Sequence, residues 1–254
     1  MPALEILWPV LILAFILVGI HAIFGLEIIR RGVIFTDLAV GQIAAVGIAV
    51  SSAFFEGKYQ IPLSLGFALS CALLIAYASQ NSRHIEAFIG LLYALGASSV
   101  MIVLSAGSEG DELFKRLMAN DILFVMNDEI LKAAGVYGII TLLYYVAYPR
   151  LNGFLKELFF FSLLSVMVTT SVPLAGVLVV FTLLIAPALV ALLQYRFKPL
   201  LFGWIYGWIF VTLALVLSYH YDWPTGYSIV FVGTLITLTS VLWLEKRYQK
   251  NRKI

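Results

Sequence analysis

Asp37 stands five residues before Gln42 in an otherwise uncharged apolar run, and Glu86 opens another such run. Ionisable groups at membrane depth are costly and by default mark a pathway. Carboxylate and amide oxygens are also the ligands that hard divalent cations take. Glu109, Asp111, Glu112, Asn120 and Asp121 form a third group between two apolar runs, where they would make an outer acidic mouth. Each feature has a plainer reading beside this one. Asp37 could sit at the inner interface paired with Arg30 or Arg31, Glu86 could be a cap that suits a helix dipole, and the acidic group could be a solvated loop. At 100° per residue, Asp37 and Gln42 lie about 140° apart on a helix, so they need not face one cavity.

Other chemistries find no support. The chain has no Gly-x-x-x-x-Gly-Lys-Ser/Thr loop, so P-loop hydrolysis of ATP is not its own work. It has no Gly-x-Ser-x-Gly elbow and no His-Glu-x-x-His pair. Its three histidines, His21, His84 and His220, fall in three separate places that a membrane topology keeps apart. The lone Cys71 lies inside an apolar run and reads as a small buried side chain. These absences point away from an enzyme.

The elements that position these residues follow from composition. Of 254 residues, 62% are hydrophobic and 12% charged, against roughly 45–50% and 25% in a soluble domain. Apolar runs extend from Leu4 to Leu26, Val33 to Phe55, Ile61 to Ser79, Ile85 to Ala106, Glu129 to Tyr148, Glu157 to Ser171, Leu174 to Gln194, Pro199 to Tyr219 and Thr225 to Leu244. In lipid each must be a helix, because only a helix satisfies its backbone groups within a single segment. The expected fold is therefore all-α, a polytopic bundle of about nine transmembrane helices in one domain, 1–254, with a short basic tail over 245–254. Read as one helix, the 38 residues from Glu157 to Gln194 would be about 57 Å long, nearly twice the hydrocarbon slab. A turn at Pro173 is the better reading. Between Leu113 and Val125 the pattern suits a short interfacial or re-entrant helix.

Basic residues favour the cytoplasmic side of short loops. With nine helices and an outside amino terminus, 12 of the 16 Lys and Arg fall inside, including Arg30, Arg31, Arg150, Lys156 and the tail. Merging the sixth and seventh helices would send Arg196, Lys198 and that tail outside. Small residues cluster at Gly41, Ala44, Ala45, Gly47 and Ala49, and again at Ala94, Gly96, Ala97 and Ser98. Such faces let helices approach closely; they could pack only, or line a narrow passage as well.

Several stretches together resemble the permease subunits of ATP-binding-cassette importers for zinc, manganese or iron, the ABC-3 type family. They are Gly25 to Gly47, with Asp37 and Gln42; Glu86 to Ala97; Leu117 to Val125, with Asn120 and Asp121; Ala175 to Ala188, with Pro187; and Asp222-Trp-Pro-Thr-Gly226. They occur in the family's order and cover most of the chain. The resemblance implies a multi-pass protein of the bacterial plasma (inner) membrane that works as a homodimer. It implies a cytoplasmic ATPase dimer and an extracytoplasmic metal-binding protein as partners, no nucleic acid, and no permanently bound cofactor, the divalent metal being substrate. By the family's motifs, Asp37, Gln42, Asn120 and Asp121 fall on the metal path. Glu86 marks the inner start of the fourth helix, which with Arg30, Arg31, Arg150 and Lys156 is the candidate set for ATPase coupling. Two departures stand out. Gln42 replaces a histidine of many members, and the inner loop Arg150 to Lys156 is too short for the family's docking helix. The second departure motivates an alternative, an ATPase-independent metal carrier or channel.

Overall fold

A computed structural model describes residues 2–105, 122–194 and 196–251. Among them are nine α-helices and no strand: α1 (Pro2–Arg31), α2 (Thr36–Phe55), α3 (Gln60–Asn81), α4 (Ile85–Ser105), α5 (Asn127–Val146), α6 (Gly153–Ala175), α7 (Val177–Leu193), α8 (Pro199–Tyr221) and α9 (Thr225–Asn251). Single 3₁₀ turns lie at Ile122–Phe124 and Tyr148–Arg150. Eight of the helices are long and apolar enough to cross a membrane; α7, with 17 residues, falls just short of that length. Outward faces carry Leu73 and Tyr77 on α3, Leu91 and Ile102 on α4, Ile209 and Val216 on α8, and Leu238 and Leu242 on α9, all large and exposed. Apolar patches of this extent are untenable in water and ordinary against lipid. The expected all-helical, multi-pass architecture is what the chain adopts.

The helices form two compact units. One holds α1, the start of α5, α7 from Leu178, α8 and α9; the other holds α2, α3, α4, α5 from Gly135, and α6.

In the first unit α1 is stapled to α8 by two indole donors: Trp204 Nε1 gives to the Gly19 carbonyl at 2.9 Å and Trp208 Nε1 to that of Phe15 at 3.3 Å. Gly203 and Gly207 open a slot on α8 for Pro187 of α7, whose carbonyl and ring a methyl at these positions would touch. Tyr206 Oη reaches both Thr237 and Ser240 on α9, at 3.2 and 3.3 Å. The connection from Asp222 to Pro224 is a fitted turn. Asp222 takes the left-handed conformation, and the Ser218 hydroxyl donates to the Trp223 carbonyl at 2.8 Å.

The second unit is built around α2, which packs against α3, α4 and α6. Val46 and Ala49 of α2 meet Val100 and Leu104 of α4 in a buried cluster. The small residues noted in the sequence do this work. Gly47 faces the α3 backbone at Leu63 and Ser64, and Gly96 faces the α2 backbone at Gln42 and Ile43. Cys71 is buried on α3, as its apolar surroundings imply.

The break between the sixth and seventh helices falls later than expected. Pro173 sits inside the last turn of α6, and the chain turns at Gly176, with φ +85° and ψ 153°. A proline near a helix end loses few bonds, whereas that backbone conformation is almost closed to residues with a Cβ. Gly176→Ala should therefore cost about 1–3 kcal/mol, read as a lower melting midpoint of the purified protein. An unchanged midpoint would mean that the turn relaxes. The segment Leu113 to Val125 lies largely outside the described residues; its end, Ile122–Phe124, is a 3₁₀ turn against α1 and α9. Beyond Leu244, where the sequence suggests a tail, α9 runs on to Asn251.

Candidate functional site

The second unit gathers its polar groups at two levels of α2. At the helix start, the Thr36 hydroxyl donates to the Val33 carbonyl at 2.7 Å and closes the entry turn. The Phe35 N–H, one of the donors a helix leaves unsatisfied, gives instead to Glu86 Oε1 of α4 at 3.2 Å. Glu86 thus ties the start of α4 to the start of α2. The same contact brings it within a turn of Asp37, and the two carboxylates share one end of the unit. Asp37 is 3% exposed.

Neither carboxylate is fully used. Among the described residues, Asp37 Oδ1 and Glu86 Oε2 are buried atoms with no hydrogen-bond partner. Arg30 and Arg31, the cations that the sequence offers Asp37, belong to the first unit. Both cations lie on Glu27 of their own helix, Arg30 at 3.3 Å and Arg31 at 3.7 Å, because Glu27 stands three and four residues earlier on the same face. A buried polar atom left without a partner costs free energy. Each such oxygen is of the hard type that divalent cations take. Among the described residues no three of His, Cys, Asp and Glu stand close enough together to hold a metal ion.

The second level lies further along α2. A cavity of about 50 Å³ is bounded by Gly41, Gln42, Ala44, Ala45 and Ile48 of α2, Val100 of α4, and Thr169, Val172 and Pro173 of α6. Gln42 lines it and Asp37 does not, as their angular separation on the helix implies. Small side chains make the space, and α4 fixes it by passing against Gln42 at Gly96. Thr169 is a residue that spacing did not single out. Its Oγ1 is buried with no partner among the described residues, whereas the neighbouring Thr170 hydroxyl bonds back to the Val166 and Met167 carbonyls. The cavity therefore offers neutral oxygen groups, an amide and a hydroxyl, with room for about one water.

The remaining candidate residues are elsewhere. Arg150 is exposed and its guanidinium turns back onto the Val146 carbonyl. Lys156 Nζ lies 4.9 Å over the Tyr148 ring, which stacks on Tyr144. Both cations are thus seated on the short α5–α6 connection. Glu109, Asp111, Glu112, Asn120 and Asp121 lie outside the described residues.

Comparison with known proteins covers nearly the whole chain. The model of the ABC 3 transport family matches residues 3–244. A probable iron transport system membrane protein of Haemophilus influenzae is 26% identical over 96% of this chain and 95% of its own length. A manganese transport system membrane protein of Listeria monocytogenes, MntC, is 23% identical over 92% and 90%. Among solved structures, PsaBC from Streptococcus pneumoniae in complex with Fab superposes with a TM-score of 0.73 at 22% identity, covering 94% of this chain and 93% of that one. A putative metal-chelate type ABC transporter in an inward-facing conformation gives 0.62 at 17% identity, covering 95% and 89%. The likeness to the two structures is one of fold. With the family match spanning all nine helices, this multi-pass membrane protein belongs to the ABC 3 transport family.

Proposed function

We propose that the chain is the transmembrane permease subunit of an ATP-binding-cassette importer for a divalent transition metal ion, manganese, iron or zinc. The observation that carries the reading is the near full-length similarity to membrane proteins named for manganese and iron transport. The site's chemistry agrees with it. A cation entering or leaving along α2 would meet the Asp37 and Glu86 oxygens at one end and the Gln42 and Thr169 oxygens within the bundle. Carboxylates without a closed cage suit an ion that must leave again. The amino terminus is outside and the basic α9 end cytoplasmic, on the balance of Lys and Arg. Two copies would form the pore above a cytoplasmic ATPase dimer, and an extracytoplasmic metal-binding protein would load it.

The short connection Ala147 to Asn152, with one 3₁₀ turn, supports a second reading, a carrier that needs no ATPase. One experiment separates the two. Vesicles holding the full chain with its cognate ATPase should take up manganese with ATP and not with a non-hydrolysable analogue. Equal uptake with both would reject the importer in favour of the carrier, and no uptake of manganese, iron or zinc under any condition would reject both.

A further inference from the structure

A groove that the site does not use lies in the first unit, where α7 hands over to α8 beside the end of α9. It encloses about 530 Å³ and is lined by Arg196 and Phe197 of the α7–α8 connection, Tyr206 of α8, and Ser240, Trp243 and Leu244 of α9. The connection is held by Gln194. Its Nε2 donates to the Ala191 and Phe197 carbonyls at 3.2 and 2.8 Å, and its Oε1 accepts from the Arg196 and Phe197 N–H groups at 2.9 and 2.8 Å. These bonds seat the Arg196 and Phe197 backbone on the Gln194 side chain, and the Arg196 guanidinium lies 6.0 Å from the Phe197 ring centre.

Charge there is unbalanced. Arg196, Lys198 and Lys246 are exposed and enter no ion pair among the described residues. Exposed Glu245, the nearest acid in sequence, pairs with none of them. The groove also sits at a defined depth, because the apolar span of α9 ends at Lys246 and that of α8 begins at Pro199. That is the boundary between acyl chains and headgroups, where Trp and Tyr collect and basic side chains meet phosphate. An occupant must therefore be apolar along Phe197, Trp243 and Leu244 and anionic at Arg196. A soluble anion lacks the first property and a zwitterionic lipid the net charge of the second.

We propose that this groove is a binding site for one anionic phospholipid, its phosphodiester on the Arg196 guanidinium and an acyl chain along Phe197 and Trp243. An arginine fork suits phosphate oxygens. The assignment is independent of what the protein transports.

Native mass spectrometry of the purified full chain, given equal phosphatidylglycerol and phosphatidylcholine of the same acyl chains, tests it. The unmodified chain should retain the anionic lipid about fivefold over the zwitterionic one, the factor that one basic residue contributes at such a surface. Arg196→Gln should bring the ratio close to one, Arg196→Lys should recover part of it, and Trp243→Ala should lower retention of both lipids. Equal retention by the unmodified chain, or a ratio that survives Arg196→Gln, would overturn the site. Displacement of the lipid by millimolar inorganic phosphate would reassign it to a bare anion. Loss of a dimer on Trp243→Ala would reassign it to contact between two copies, and either result overturns the proposal.

Discussion

Asp37→Asn is expected to lower ATP-driven manganese uptake by at least about tenfold, the scale on which even outer-shell partners of a metal act, while leaving the protein as stable as before or more so. The two halves of this result come from one observation. Asp37 is 3% exposed, makes no ion pair, and has an oxygen without a hydrogen-bond partner among the described residues. The dipole at the start of α2 offsets part of the cost of a carboxylate there. An uncompensated charge in a buried place is still a net burden on the fold. The isosteric amide removes the charge and keeps the shape. A structural residue would behave in the opposite way, with stability and uptake falling together. Uptake by reconstituted vesicles and a melting curve on the same preparation separate the outcomes. Full uptake by the variant would place the ion path away from α2, and a joint fall would make Asp37 a strut.

The helices were legible because lipid leaves a segment of about 20 apolar residues one way to fold. The small-residue faces were legible for a related reason, since Gly47 and Gly96 matter through the absence of a side chain, which spacing reveals. Contacts set by the third dimension were not. The Phe35 N–H and Glu86 are 51 residues apart, and nothing in either segment names the other. Arg30 and Arg31 lie on Glu27, one helical turn before both, a local pair that the three- and four-residue spacing provides. Thr169 escaped notice because a hydroxyl in a helix ordinarily bonds back to its own backbone, as Thr170 does. Only the neighbouring helices reveal which of the two adjacent threonines is left unsatisfied. The sequence points to Pro173 because proline is the more conspicuous helix breaker, whereas the positive φ of the actual turn demands Gly176.

The packing of the bundle depends on backbone approach in both units, and adding one methyl at the right glycine should show it. A Cβ on Gly25 would strike the Leu184 carbonyl within the first unit, and one on Gly47 would meet the Leu63 carbonyl carbon and the Ser64 nitrogen at 2.6 Å within the second. In both places the obstacle is backbone, so no side chain can rotate away and the helices must separate. Overpacking of this kind costs about 1–3 kcal/mol and sometimes more, which for a chain of this size lowers the melting midpoint by roughly 2–12 °C. Gly66→Ala, on the same helix as Leu63 but with open space around it, is the matched control. It should be neutral or slightly stabilising, since alanine suits a helix better by about 1 kcal/mol. If Gly25→Ala and Gly47→Ala melted with Gly66→Ala, these close crossings would be incidental. If only Gly47→Ala also lost uptake at a temperature where it remains folded, the α2–α3 crossing would be fixing the geometry of the Asp37 and Gln42 helix as well as its stability.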